Sequence, residues 1–200
     1  MRKLFEGMDS YVELLPQPLV PRLTTSSLDL APLSVKFEAW AEKNSEAITA
    51  SRQAQEKFIA ESFALSTLCG SVLQVAYKAV ELFSSNKIIP TDLSHIVSKG
   101  STAEPFCCGR RINNVPLGLI IYAGRNQHMH FRKADLRNPS MSVLNLLASN
   151  FADQTGSPVQ DPAFDQKSPG LVSLAHNITA LIGWRSYDAY TKDMRNLLSI

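Results

Sequence analysis

From Ser45 to Ser85 the chain contains no proline, and Leu65, Leu68, Val72, Val75, Ala79, Leu82 and Phe83 recur at three- and four-residue steps. That period places them on one face of a long α-helix, which fixes the scale of whatever packs against it. Gly70, in the middle of this stretch, predicts either a kink or a close crossing by a second helix.

The remaining segments read mostly as shorter helices. One is expected over Ser34–Lys43, where Val35, Phe37, Ala39 and Trp40 sit among charges. Pro139 precedes an apolar face of Val143, Leu144, Leu146, Leu147 and Phe151, predicting a core helix over Ser140–Phe151. Further helices are expected over Leu171–Ile182 and within Trp184–Leu198. The apolar run from Asn114 to Tyr122 suits a buried strand or a buried helix equally, and Pro116 at an acceptable first helical position favours helix. Residues 86–104 read as a connector with a short helix around Asp92–Val97, and Ala152–Gly170 as a long polar loop. Pro16, Pro18, Pro21 and Pro32, with the Thr24-Thr25-Ser26-Ser27 cluster, disfavour helix near the N-terminus. The expected class is all-α: an up-and-down bundle of four to five core helices without significant sheet. Residues 1–34 would form a proline-containing arm and residues 35–200 one helical domain.

Composition narrows the setting. With 200 residues, 44% hydrophobic, 19% charged and a net charge of +2, the profile is that of one globular domain, not a fibrous or disordered chain. Met1-Arg2-Lys3 is followed by no apolar run of signal-peptide length. The uncharged stretches Ser62–Tyr77 and Ser168–Trp184 fall short of a membrane span. Cys69, Cys107 and Cys108 cannot all pair within one chain, and no CxxC occurs. The expectation is a cytoplasmic protein with reduced thiols and neither metal nor cofactor.

Chemistry concentrates in Arg125-Asn126-Gln127-His128-Met129-His130, which sets Arg, an adjacent amide and His at R-N-x-x-x-H spacing. An imidazole titrates near neutral pH and can take the proton of a ribose 2′-hydroxyl, the role suited to His130. A guanidinium binds two phosphate oxygens in a fork that lysine cannot reproduce, the role suited to Arg125. Asn126 can orient its neighbours by hydrogen bonds.

An all-helical domain carrying this element resembles the HEPN superfamily (higher eukaryotes and prokaryotes nucleotide-binding), on residues Arg125, Asn126 and His130. The stretch Pro116–His130 is also similar to small bacterial and plasmid-encoded members. The resemblance implies a metal-independent endoribonuclease acting on single-stranded RNA as a homodimer, with use as a toxin or defence effector and an antitoxin or other protein as partner. It equally admits a catalytically silent module that binds nucleotide or RNA, or scaffolds a partner. One toxin branch has a Tyr two residues after the motif His. Arg132 stands there in this chain, which argues against regulation by tyrosine nucleotidylation.

The need for a second proton-transfer group also points to a twofold composite site, since one motif offers a single histidine. Between residues 110 and 137, Arg110, Arg111, Arg125, Arg132, Lys133 and Arg137 oppose Asp135 alone, giving +5 (6 − 1) on a chain of net +2. Such a window marks an anion site. Arg110, Arg111, Arg132 and Lys133 are therefore candidate substrate contacts. Tyr122, Phe131 and His128 are candidates to stack on unpaired bases. Asp153, Asp161 and Asp165 would either repel RNA or gate the groove. His176 reads as a hydrogen-bonded core or crevice residue, His95 as a connector residue, and Cys107-Cys108 as small buried side chains rather than nucleophiles.

Overall fold

The computed structural model of the chain describes residues 1–14, 32–131, 136–149, 151–152, 158–164 and 173–199. Among them the architecture is all-α. Seven α-helices run in the order α1 (Arg2–Leu14), α2 (Leu33–Lys43), α3 (Ser45–Phe83), α4 (Leu117–His130), α5 (Ser140–Ser149), α6 (Ala175–Leu181) and α7 (Tyr187–Leu198). Strand pairing is confined to two antiparallel ladders of two residues a side. The first joins β1 (Arg111–Ile112) to β2 (Val115–Pro116) through Asn113 and Asn114, both at positive φ (48° and 63°). Asparagine tolerates that region, and two such residues in sequence suit a tight hairpin turn.

The chain divides into two compact units. The larger contains residues 1–9 and 65–200 and holds the core. Within it α3 turns Leu65, Cys69, Val72, Leu73, Ala76, Tyr77 and Val80 inward, all 8% exposed or less. This face differs from the expected one: Leu65 and Val72 belong to it, but Val75 is 43%, Leu82 70% and Phe83 69% exposed. The four-residue step from Leu65 to Cys69 sets the true stripe, and a cysteine and an alanine supply positions where larger side chains were sought. Arg2–Leu14 is helical, which the sequence reading did not assign, and it buries Phe5 and Met8, with Phe5 beside Tyr187 and Tyr190 of α7.

The central helix of this unit is α4, with nine buried residues among its fourteen. Pro116 caps it one residue before the first helical position, so the ambiguous Asn114–Tyr122 run becomes a short strand and then a helix. A Cβ at Gly118 would lie 2.3 Å from the Phe106 carbonyl oxygen, so only glycine lets α4 approach that turn. Tyr187–Leu198 matches an expected helix, and Ser140–Ser149 matches another except that Phe151, expected on its apolar face, lies beyond its end and pairs with Val159 in the second ladder; α6 is limited to Ala175–Leu181, with Leu174 as its cap.

The smaller unit, residues 10–64, contains the end of α1, α2 and the first half of α3. Its one buried side chain among the described residues is Ser51, and Leu33, Val35, Phe37, Ile59 and Phe63 are all more than half exposed. The proline-containing segment 15–31 lies outside the described residues.

By length and composition α3 could cross a membrane, a reach the uncharged stretch Ser62–Tyr77 alone did not suggest. Its most apolar window has a mean hydropathy of 1.4 and is 28% buried inside the protein.

Candidate functional site

The R-N-x-x-x-H element occupies the last two turns of α4, which stays helical through His130. Arg125 is half-buried and is held by three neutral neighbours. Its Nε donates to Gln74 Oε1 of α3 at 2.8 Å, one terminal nitrogen donates to Asn126 Oδ1 at 3.0 Å, and the guanidinium carbon lies 4.7 Å from the centre of the Tyr77 ring. The Asn126 amide in turn donates to Ser140 Oγ of α5 at 3.1 Å. Arg125 therefore sits in a polar chain spanning three helices. Among the described residues it makes no ion pair.

The other expected cations are differently disposed. Arg110 forms a two-pronged pair with Asp193 of α7 at 2.9 and 2.8 Å and also donates to the Ile182 carbonyl at 2.5 Å. Asp193 accepts a further bond from the Trp184 indole at 2.9 Å. Burial alone would push the Asp193 carboxyl up, but the bonds from Arg110 and Trp184 outweigh it and hold its pKa below the usual carboxylate range. Arg111 is likewise clamped by Asp92 at 2.6 and 3.0 Å and bonds the Asn114 carbonyl at 2.9 Å. Both arginines thus have a carboxylate partner, Arg110 in a partly buried pair and Arg111 in an exposed one. Arg137 is exposed, and Arg132 and Lys133 lie outside the described residues, as do Asp135, Asp153 and Asp165.

Of the expected base-stacking groups, Phe131 is half-buried at the C-terminal cap of α4, and the other two are packed against neighbours. Tyr122 is 8% exposed, meets the Phe106 ring edge-on at 5.1 Å and shares a 3.2 Å hydrogen bond with Thr102. No face remains for a nucleobase. His128 is half-buried, with Nδ1 2.8 Å from Ser173 Oγ. Its ring rests on α3 at Gly70, where an added Cβ would fall 2.1 Å from Nε2. Gly70 is thus the close crossing foreseen from sequence, and His128 is the group that crosses. Burial holds the His128 pKa below the ordinary imidazole value. Gln127, 5% exposed, accepts from the Leu174 amide at 2.8 Å and ties the same end of α4 to the start of α6.

His130, the last residue of α4, is exposed and has no hydrogen-bond partner among the described residues. His176 is half-buried in a crevice, but its Nε2 is buried without a hydrogen-bond partner among the described residues, against the hydrogen-bonded role expected of it; His95 is exposed, as expected of a connector residue. Burial lifts the Cys69 and Cys107 thiols to about 11 and also raises Cys108, so all three remain protonated and poorly nucleophilic near neutral pH. Among the described residues no group of three His, Cys, Asp or Glu is placed to hold a metal ion. A surface cleft of about 210 Å³ lies between α1 and α7, lined by Arg2, Phe5, Asp9 and Tyr187 among others, away from the motif.

No family model, curated protein or solved structure matches this chain.

Sequence reasoning missed Gln74, Tyr77 and Ser140. Gln74 and Tyr77 are three residues apart on α3, which puts them on one face. No local pattern announces that this face meets a guanidinium some fifty positions later, and Ser140 reads in sequence as an ordinary helix start.

Proposed function

We propose that the chain is a HEPN-type, metal-independent endoribonuclease acting in the cytoplasm on single-stranded RNA as a homodimer, serving as a toxin or defence effector. A single observation carries the reading. Of the arginines expected to bind phosphate and described in the structure, Arg110 and Arg111 are neutralised by carboxylates, whereas Arg125 is half-buried among neutral partners. Desolvating a cation without a counter-charge is unfavourable, so such a position is suited to an external anion. A phosphodiester supplies one, and it gains charge in the transition state for cleavage.

In this mechanism Arg125 binds the nonbridging oxygens, His130 removes the 2′-hydroxyl proton, and Asn126 fixes the guanidinium through its side-chain oxygen. The 2′-oxygen attacks phosphorus and the 5′-oxygen leaves with a proton from a second acid, yielding a cyclic phosphate. Five helical steps separate Arg125 from His130, or about 140° around the α4 axis. The two side chains thus leave one helix in different directions, which favours a composite site in which Arg125 of one copy and His130 of another meet at one phosphate.

A binding-only module is favoured by one contrary observation. Efficient proton transfer uses an imidazole held in one orientation, and His130 has no orienting partner among the described residues. Cleavage of end-labelled RNA in excess EDTA, with His130→Ala and Arg125→Ala proteins verified as folded, separates the two. The nuclease reading expects chelator-resistant cleavage that both substitutions abolish. Binding without cleavage by the parent leaves the module, and identical cleavage by all three proteins removes the motif from the chemistry.

A further inference from the structure

We infer that α3 supplies positioning residues for the phosphate-binding group: Gln74 and Tyr77 set the direction in which Arg125 presents its free donors. The inference rests on the proposed role of Arg125 and extends the site to a helix outside the motif.

The side-on edge of a guanidinium is formed by Nε and one terminal nitrogen, and the end-on edge by the two terminal nitrogens. Gln74 Oε1 occupies the Nε hydrogen at 2.8 Å, closing the side-on edge to a two-pronged anion. Asn126 takes one hydrogen of Nη1 at 3.0 Å. Nη2 has no partner among the described residues, so a phosphate is met first by Nη2, on the side of the guanidinium away from Gln74 and Asn126. The plane of the guanidinium is set from below by Tyr77, whose ring lies 4.7 Å from the guanidinium carbon. Tyr77 is itself fixed, 8% exposed and packed on Phe106 at 4.8 Å and Tyr122 at 5.9 Å.

Chemistry favours this assignment over a simple helix-to-helix tether. A carboxylate at position 74 would bind Arg125 more strongly but would cancel its charge, whereas a neutral amide accepts the hydrogen bond and leaves the cation available. The arrangement orients a positive charge without neutralising it. Neither Gln74 nor Tyr77 needs to touch substrate.

The substitutions Gln74→Glu and Gln74→Met separate orientation from charge. Three readouts apply: the Arg125 Nε–H resonance in ¹⁵N-arginine-labelled protein, binding of an uncleavable 2′-O-methyl oligonucleotide, and kcat and KM for RNA cleavage in EDTA. Gln74→Met should shift the Nε–H resonance toward that of a solvent-exposed arginine and lower kcat about tenfold, with a smaller change in KM. Gln74→Glu should retain a hydrogen-bonded Nε–H resonance yet weaken oligonucleotide binding about tenfold. A helix tether alone predicts the opposite for Gln74→Glu, namely a stronger contact with unchanged RNA affinity. An unmoved resonance in Gln74→Met, or unchanged oligonucleotide binding in Gln74→Glu, overturns the inference. Parent protein that binds in a Gln74-dependent way without cleaving removes the nuclease reading and keeps the positioning role. Cleavage and binding indifferent to Gln74 do the reverse, and a parent that neither binds nor cleaves removes both.

Discussion

Substituting Gly70 by alanine sets two effects of known sign against each other. Glycine inside a helix costs about 1 kcal/mol relative to alanine, so on propensity alone Gly70→Ala should stabilise α3. The structure opposes this, since the new Cβ would lie 2.1 Å from His128 Nε2, 2.3 Å from Cε1 and 2.4 Å from Cδ2. The ring must move, and moving it strains the 2.8 Å bond to Ser173. Forcing a methyl group into an occupied crossing costs about 1–3 kcal/mol, and the hydrogen bond contributes about 1 kcal/mol more. Steric cost wins, and the net expectation is a loss of about 1–3 kcal/mol. In a His128→Ala background the obstacle is gone, and the same Gly70→Ala change should add up to about 1 kcal/mol. Urea unfolding of the four proteins, followed by far-UV circular dichroism, completes the cycle. The reasoning fails if Gly70→Ala has the same sign and size in both backgrounds.

The remaining expectations concern the same larger unit. Gly118→Ala should be worse tolerated than Gly70→Ala, by about 3 kcal/mol in urea unfolding, because the group in its way is the Phe106 carbonyl rather than a movable ring. Asp193→Ala removes both prongs of the Arg110 pair and leaves the fully buried Trp184 indole without its acceptor. Because the Arg110 side chain is 48% exposed and can regain water, the loss should be about 3 kcal/mol rather than the larger cost of a fully buried pair, measured by Trp fluorescence on denaturation. The depressed Asp193 pKa gives stability that is complete above the unfolded value of about 3.9 and lost as pH falls through the folded value. Asp193→Asn should flatten that acid limb. His128 also has a depressed folded pKa, so the unfolded chain takes up its proton first as pH drops below about 6.5. Thermal stability should decline from there downward, and His128→Gln should reduce the slope.

Local periodicity made most helices legible, but not the direction each one faces. The span of α3 was readable because the forty-one residues from Ser45 to Ser85, without proline and rich in helix formers, leave few alternatives. Its buried face was not, because Cys69, Ala76 and Tyr77 carry the core while the more apolar Val75, Leu82 and Phe83 lie outside it. Ranking by hydrophobicity rotates the helix toward the larger side chains, whereas packing selects whichever row fits the neighbouring helices. Helix α1 escaped notice because, among its described side chains, only Phe5 and Met8 are buried, a stripe too sparse to see before Tyr187 and Tyr190 are placed beside Phe5.

The site was legible as a motif and illegible as a charge distribution. Counting six cations against one anion between residues 110 and 137 treats every arginine as available, yet Asp92 and Asp193, which neutralise two of them, lie outside that window. A sequence window registers charge along the chain, while a phosphate responds to charge left over after folding. On that criterion Arg110 and Arg111, each with a carboxylate partner, count for less than the window suggests, and Arg125 is distinguished less by its motif spacing than by the company it keeps. Gln74, Asn126 and Tyr77 each contact the guanidinium, and none carries a negative charge at neutral pH. Had any been a carboxylate, the same contacts would describe an ordinary interhelical salt bridge. The distinction between a structural arginine and an anion-binding one therefore resides in the partner on α3, and substitution at position 74 tests it more directly than removal of Arg125 itself.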